Sequence, residues 1–303
     1  MRKSDIANVR QRTNHTFIWT LLYSLILMIG AAIVLQIVPN MNQGLVMMIL
    51  VVVGVFIVYI SNITRWPFEL ENHDENKKQM TPTRFFIMLC LVFTCQLLTY
   101  LFMQLYLLTG LPEANIAGES LAQDLSLPMI LYASFIGPIA EELIYRGFLI
   151  GSLKKNSKIV AIVISAICFG LMHANPMQFF AGFFSGLLFG YIFIEYSIKW
   201  TILFHIFNNF LLSELPLLIF GADSSVIIDY VILGIGIVLT VIAVIYLVKK
   251  KVISTFLKNP ANHGEKGAIK QTLSSAWMWI YMATQLVFMA SVIWGSSSGL
   301  LGK

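Results

Sequence analysis

The chain has 303 residues, of which 58% are hydrophobic and 12% charged, with a net charge of +5 and a mean hydropathy of +0.80. A soluble globule of this length needs more polar surface, so composition selects an all-α fold, a polytopic transmembrane helical bundle. The cations are scattered over several loops without interleaved aromatics, which argues against nucleic-acid binding. Cys90, Cys95 and Cys168 all fall in apolar runs and no CxxC occurs, so neither a disulfide framework nor a thiolate metal site is expected.

In chain order, a charged N-terminus with Arg2, Lys3, Arg10 and Arg12 precedes a first apolar run at 17–38. That run exceeds a signal-peptide core in length and no small-residue cleavage pattern follows, so it reads as a retained signal anchor. Further runs near 44–62, 85–109, 127–150, 158–175, 177–195, 200–220, 226–248 and 275–294 approach or exceed the roughly 20 residues a span requires. Eight core helices and a ninth C-terminal helix result. The expected organisation is a membrane body over 1–251, a polar cytoplasmic connection over 252–272 containing Pro260, Gly264 and Gly267, and a peripheral ninth helix with a short tail over 273–303.

Lys and Arg alternate strictly between loops. They occur at the N-terminus, in 63–84, at Lys154, Lys155 and Lys158, at Lys199, and from Lys249 to Lys270. The intervening loops carry none, and their charges are acidic: Glu113, Glu119, Asp124, Glu214 and Asp223. The positive-inside rule therefore places a multi-pass protein in the cell membrane with its N-terminus cytoplasmic and its C-terminus external. The Lys249–Lys251 cluster at a helix end is suited to anionic lipid.

Three polar strings interrupt the apolar runs. In the fourth run, Gly137 and Pro138 precede Glu141, Glu142 and Arg146. An intramembrane charge costs roughly 2.5–3.5 kcal/mol on insertion scales unless it is paired or hydrated. Glu142 and Arg146 are four apart and share a helix face, in position to pair. Glu141 points about 100° away and is left as a general base. Pro138 is expected to kink the backbone and free carbonyls beside the carboxylates. A competing reading ends the span near Ala140 with the glutamates at the interface. It would make that span short and leave Phe148, Leu149 and Ile150 uncovered.

The fifth run ends in Phe169-Gly170-Leu171-Met172-His173, and the seventh contains His205-Ile206-Phe207-Asn208-Asn209. His205 and Asn209 share a face and can donate toward one point, with Asn208 a geometric substitute. Singly, such residues serve as interfacial rings or interhelical polar glue. Together, one carboxylate, two imidazoles and a carboxamide from three helices offer a water-activating base, an oxyanion donor set, or ligands for one metal ion. Along straight rods rising 1.5 Å per residue, Glu141, His173 and His205 would lie ~18, ~22 and ~9 Å from their cation-bearing loops. Those depths do not coincide.

In order and spacing, EExxxR (Glu141–Arg146), FxxxH (Phe169–His173) and HxxxN (His205–Asn209) resemble the CPBP family. This is the CAAX-protease and bacteriocin-processing group, also called Abi, which includes the type II CAAX prenyl endopeptidase. The likeness covers roughly 127–215 and no motif position departs from it. It implies an intramembrane endopeptidase in which Glu141 and His173 activate water, His205 and Asn209 stabilise the oxyanion, and Glu142 and Arg146 support them. That reading requires no cofactor. A divalent metal such as zinc, held by Glu141, His173 and His205, is the other way such a set can work.

The function expected is hydrolysis of hydrophobic or lipid-modified peptides near the cytoplasmic leaflet, serving peptide maturation or bacteriocin self-immunity. The partners are then such peptides and membrane lipid. A non-catalytic regulator or scaffold that binds a sensor kinase or toxin receptor is the alternative. A proton-coupled transporter is a weaker third, since no inverted repeat is evident.

Overall fold

A computed structural model describes the backbone of residues 3–63, 77–110, 124–221 and 225–301, and the side chains of 8–63, 77–110, 124–221 and 230–294. The charged residues between 64 and 76, with Glu113, Glu119 and Asp223, lie outside the described residues.

Every described element is helical: α1 (Lys3–Ile37), α2 (Gln43–Asn62), α3 (Pro82–Leu107), α4 (Leu127–Leu153), α5 (Lys158–Met172), α6 (Pro176–Glu195), α7 (Ile198–Phe220) and α8 (Ser225–Lys249) come first. Three short helices follow, α9 (Val252–Lys258), α10 (Pro260–His263) and α11 (Lys266–Leu273), and then α12 (Ala276–Leu301). Among the described residues, eight helices are long and apolar enough to cross a membrane. The remaining apolar helix is α5, with 15 residues. The expected bundle is borne out, and helix α1 begins well before the apolar run at 17. His15, just before that run, is helical and accepts from the Trp19 indole at 3.1 Å.

Side-chain caps set several boundaries. Asn42, Thr81, Ser157 and Asn175 each accept from a backbone N–H in the first turn of α2, α3, α5 and α6, satisfying donors that a helix start leaves orphaned. Helices α4 and α7 are irregular, with π-helical turns at Tyr132–Ile136, Leu143–Ile150 and Phe207–Glu214. Such turns carry one extra residue per turn and concentrate at functional sites.

The core is built on α4. Ile144, Tyr145, Phe148, Leu149 and Ile150 are buried against α1, α5 and α6. The last long helix, α12, contributes to this core rather than standing apart from it. In α12, Met278 and Tyr281 are buried in the same core. The Tyr281 hydroxyl lies 2.9 Å from that of Tyr145 and donates to the Cys168 carbonyl at 3.1 Å, while Gln285 donates to Ser24 at 2.7 Å. The outlying helix is α8, which packs chiefly on α3 and leaves Val238, Val241, Val244 and Val248 exposed.

Contacts between helix ends gather the cations on one face. Arg12 donates to Asn156 in the α4–α5 turn at 2.5 Å, and Asn156 donates to Thr272 of α11 at 3.0 Å. Lys77, just before α3, donates to the Phe193 carbonyl of α6 at 2.8 Å, and Lys78 pairs with Glu195. On the opposite face, Asn42 in the α1–α2 turn donates to Ser126 before α4 at 2.8 Å.

Candidate active site

Glu142 and Arg146 are both fully buried, with Nη1 and Oε1 3.2 Å apart. The pairing read from their i, i+4 spacing is therefore present. The guanidinium also lies over the Phe169 ring at 4.4 Å and the Phe189 ring at 5.5 Å, so aromatic faces replace part of its hydration. Sequence spacing gave no sign of the next contact: His205 of α7 places Nδ1 2.8 Å from Glu142 Oε1. A carboxylate paired with arginine only accepts, so Nδ1 carries the proton. The other ring nitrogen, Nε2, then faces Glu141 Oε2 at 3.6 Å. Both glutamates thus bear on one imidazole.

The backbone of α4 explains how Asn209 joins them. In the π-turn the Gly137 N–H bonds to the Tyr132 carbonyl, and Pro138, five residues beyond Ala133, has no N–H to offer. The Ala133 carbonyl is left without a helical donor, and Asn209 Nδ2 donates to it at 3.0 Å. A side chain on Gly137 would sit 2.9 Å from the Tyr132 carbonyl oxygen, so glycine is needed for this turn to close. The carbonyl freed by Pro138 is what the sequence led us to expect, and its partner is an amide from α7.

His173 caps the end of α5, with Nδ1 2.9 Å from the Phe169 carbonyl. Since the carbonyl accepts, Nδ1 donates and the Nε2 lone pair is left available. The position of the ring depends on how closely α6 approaches. A Cβ on Gly182 would lie 2.8 Å from Gly170 Cα and 3.4 Å from His173 Nδ1, and one on Gly186 would lie 2.9 Å from Ala166 Cα. Small residues let the two backbones touch, as membrane helix pairs commonly do.

Glu141, His173, His205, Asn208 and Asn209 all line one cavity of about 390 Å³. The cavity therefore spans the depths that straight rods set apart, from His205 in the first half of α7 to His173 at the end of α5. A second, mostly apolar cavity of about 650 Å³ between α3, α7 and α8 shares Gln96, Thr99 and Ser213 with the first. Gln96 went unnoticed in the sequence, although a lone amide in the middle of an apolar run was the available signal. It donates to Asn208 at 2.7 Å, and Asn208 donates to Asn209 at 3.1 Å, forming an amide chain from α3 to the Ala133 carbonyl.

Among the described residues, no three His, Cys, Asp or Glu side chains group as metal ligands. Arg146 pairs with Glu142, and a carbonyl and a carboxylate hold one nitrogen of each histidine, which fixes the tautomer whether the other nitrogen acts on water or on a metal.

Fold and site together define a multi-pass helical membrane protein with a carboxylate–imidazole–amide cluster in a cavity among its helices. Residues 123–211 match the family model described as Type II CAAX prenyl endopeptidase Rce1-like, so the family likeness carried by the three motifs is borne out over that part of the chain. The chain is also 31% identical over 83 residues to "Putative membrane peptidase YdiL" of Bacillus subtilis (strain 168), a stretch covering 27% of this chain and 34% of that protein. The match thus spans about a third of the curated relative's length. No solved structure matches the chain.

Proposed function

We propose that the protein is an intramembrane endopeptidase that hydrolyses peptide bonds in membrane-associated or lipid-anchored peptides. The observation that carries this reading is the meeting of Glu141, His173, His205 and Asn209, from three motifs on separate helices, around one cavity. The matched family description and the relative's name both point to peptidase chemistry.

The chemistry assigned is as follows. Water in the cavity loses a proton to Glu141 while Nε2 of His173 accepts its second hydrogen, and the oxygen attacks the scissile carbonyl. The carbonyl oxygen becomes an oxyanion that accepts from Asn209 Nδ2, whose other hydrogen is held by Ala133, and from His205 Nε2. With Nδ1 committed to Glu142, donation from Nε2 requires the ring to carry both protons, and Glu141 and Glu142 are the counter-charges at hand. As the C–N bond breaks, Glu141 passes its proton to the leaving amine. Arg146 keeps Glu142 charged and aimed at His205. No step is routed through a metal.

The test compares membrane peptides by mass spectrometry in cells that express wild type, Glu141→Ala or His173→Ala. An uncleaved precursor should accumulate in both variants, and identical profiles in all three would sink the mechanism. Full complementation of a deletion phenotype by Glu141→Gln would instead favour the non-catalytic regulator.

A further inference from the structure

We infer that the cavity opens on the extracytoplasmic side of the membrane, so that the peptides it receives are exported or anchored in the outer leaflet. The cytoplasmic-leaflet substrate expected from the sequence does not fit this arrangement. The word "substrate" rests on the protease reading; the direction of opening does not.

Most of the cavity lining comes from the parts of its helices farther from their cationic ends, with Glu141 near the middle of α4 and His205 in the cation-proximal half of α7. In α3 the lining residues are Cys95, Gln96 and Thr99, whereas Lys77, Lys78 and Arg84 mark its start. Helix α4 contributes from Met129 to Glu141, and its cations, Lys154 and Lys155, follow its end. Helix α5 starts at Lys158 and contributes only Phe169 and His173 at its far end. Helix α6 lines the cavity with Gln178 to Ser185 in its first half, while its last residue, Glu195, pairs with Lys78. In α7, Lys199 lies at the start and the lining runs from His205 to Glu214.

The two faces are fixed by contact as well as by counting. Arg12, Asn156 and Thr272 join α1, the α4–α5 turn and α11 at the cationic face. Lys77 and Lys154 both approach the Phe193 ring there, at 5.4 and 5.7 Å. The described segments at the other face, 38–42, 108–110, 124–126, 173–175 and 213–221, contain no Lys or Arg, and the sequence at 111–123 and 222–224 has none either. Glu214 lies at the cavity on that side. Short loops rich in Lys and Arg stay in the cytoplasm. The cavity consequently belongs to the opposite side.

Cysteine accessibility tests this without any need for turnover. Cys90, Cys95 and Cys168 are replaced by alanine, and single cysteines are placed at the exposed cavity positions Gln178→Cys and Ser213→Cys and at the cationic-face positions Lys155→Cys and Lys250→Cys. Each full-length variant is treated with a membrane-impermeant maleimide in right-side-out and in inverted vesicles. The inference expects Gln178→Cys and Ser213→Cys to label at least tenfold faster in right-side-out vesicles and the two lysine positions in inverted ones. The reverse pattern overturns it, as does reaction of the cavity cysteines with a permeant maleimide only. A protein that labels as expected while Glu141→Ala leaves membrane peptides unchanged would separate failure of the protease reading from failure of the orientation.

Discussion

His205 Nδ1 lies 2.8 Å from Glu142 Oε1 across 63 residues of chain, and this bond joins the seventh helix to the buried ion pair of the fourth. Losing one partner of a buried pair leaves an uncompensated charge and costs about 3–5 kcal/mol. Glu142→Gln should therefore lower thermal stability in detergent by that order, and turnover by about 10²- to 10⁴-fold through loss of the anion that orients His205. Adding Arg146→Met to Glu142→Gln should recover much of the melting temperature and none of the activity. Recovery of both would mean that the pair is only structural.

The contact between α5 and α6 leaves no room for a methyl group at Gly182, where a Cβ would meet Gly170 Cα at 2.8 Å. Gly182→Ala should destabilise the protein by about 1–3 kcal/mol and reduce turnover by displacing His173. Gly234, whose Cβ would meet nothing within 4 Å, is the control: Gly234→Ala should be neutral or gain up to about 1 kcal/mol. Equal melting temperatures for the two variants would contradict the close approach.

Gln96 holds Asn208 at 2.7 Å, and Asn208 holds Asn209. Interhelical hydrogen bonds within membranes contribute about 0.6–2 kcal/mol, so Gln96→Leu should cost that much stability. If the amide chain steadies Asn209, kcat should fall by about tenfold with KM little changed, and Gln96→Asn should not restore it because its shorter side chain cannot reach Asn208. A fall in melting temperature with kcat unaltered would confine Gln96 to packing.

Tyr281 ties α12 to Tyr145 and to the Cys168 carbonyl. Tyr281→Phe should lose about 1–3 kcal/mol, since the buried Tyr145 hydroxyl then lacks its partner. A chain cut before Ala276 should melt at a much lower temperature than the whole chain. An unchanged melt would show that the helix is dispensable after all.

How much of this was legible beforehand differed by element. The nine apolar runs and the Glu142–Arg146 pair follow from composition and from the i, i+4 geometry of one helix, which are local properties of the chain. The freed carbonyl beside Pro138 was likewise foreseeable, because proline lacks a donor wherever it sits. The π-turn that made Ala133 the orphan was not, since it depends on what α2 and α7 pack against α4. The long polar connection 252–272 suggested a peripheral last helix, but the capping and docking of Asn262 and Thr272 against the α4–α5 turn fold it back onto the core.

By itself, the sequence determined that this is a membrane bundle, which residues in it are too polar to face lipid, and which helix ends carry the cations. It did so because hydropathy and charge act residue by residue against the bilayer. Only the tertiary structure decided that His205 reaches Glu142 rather than open space, that Gln96 belongs with Asn208 and Asn209, and that one cavity takes in Glu141, His173, His205 and both asparagines. Those outcomes depend on helix tilt, widened turns and the contact of Gly170 with Gly182, each set by packing between segments far apart in the chain.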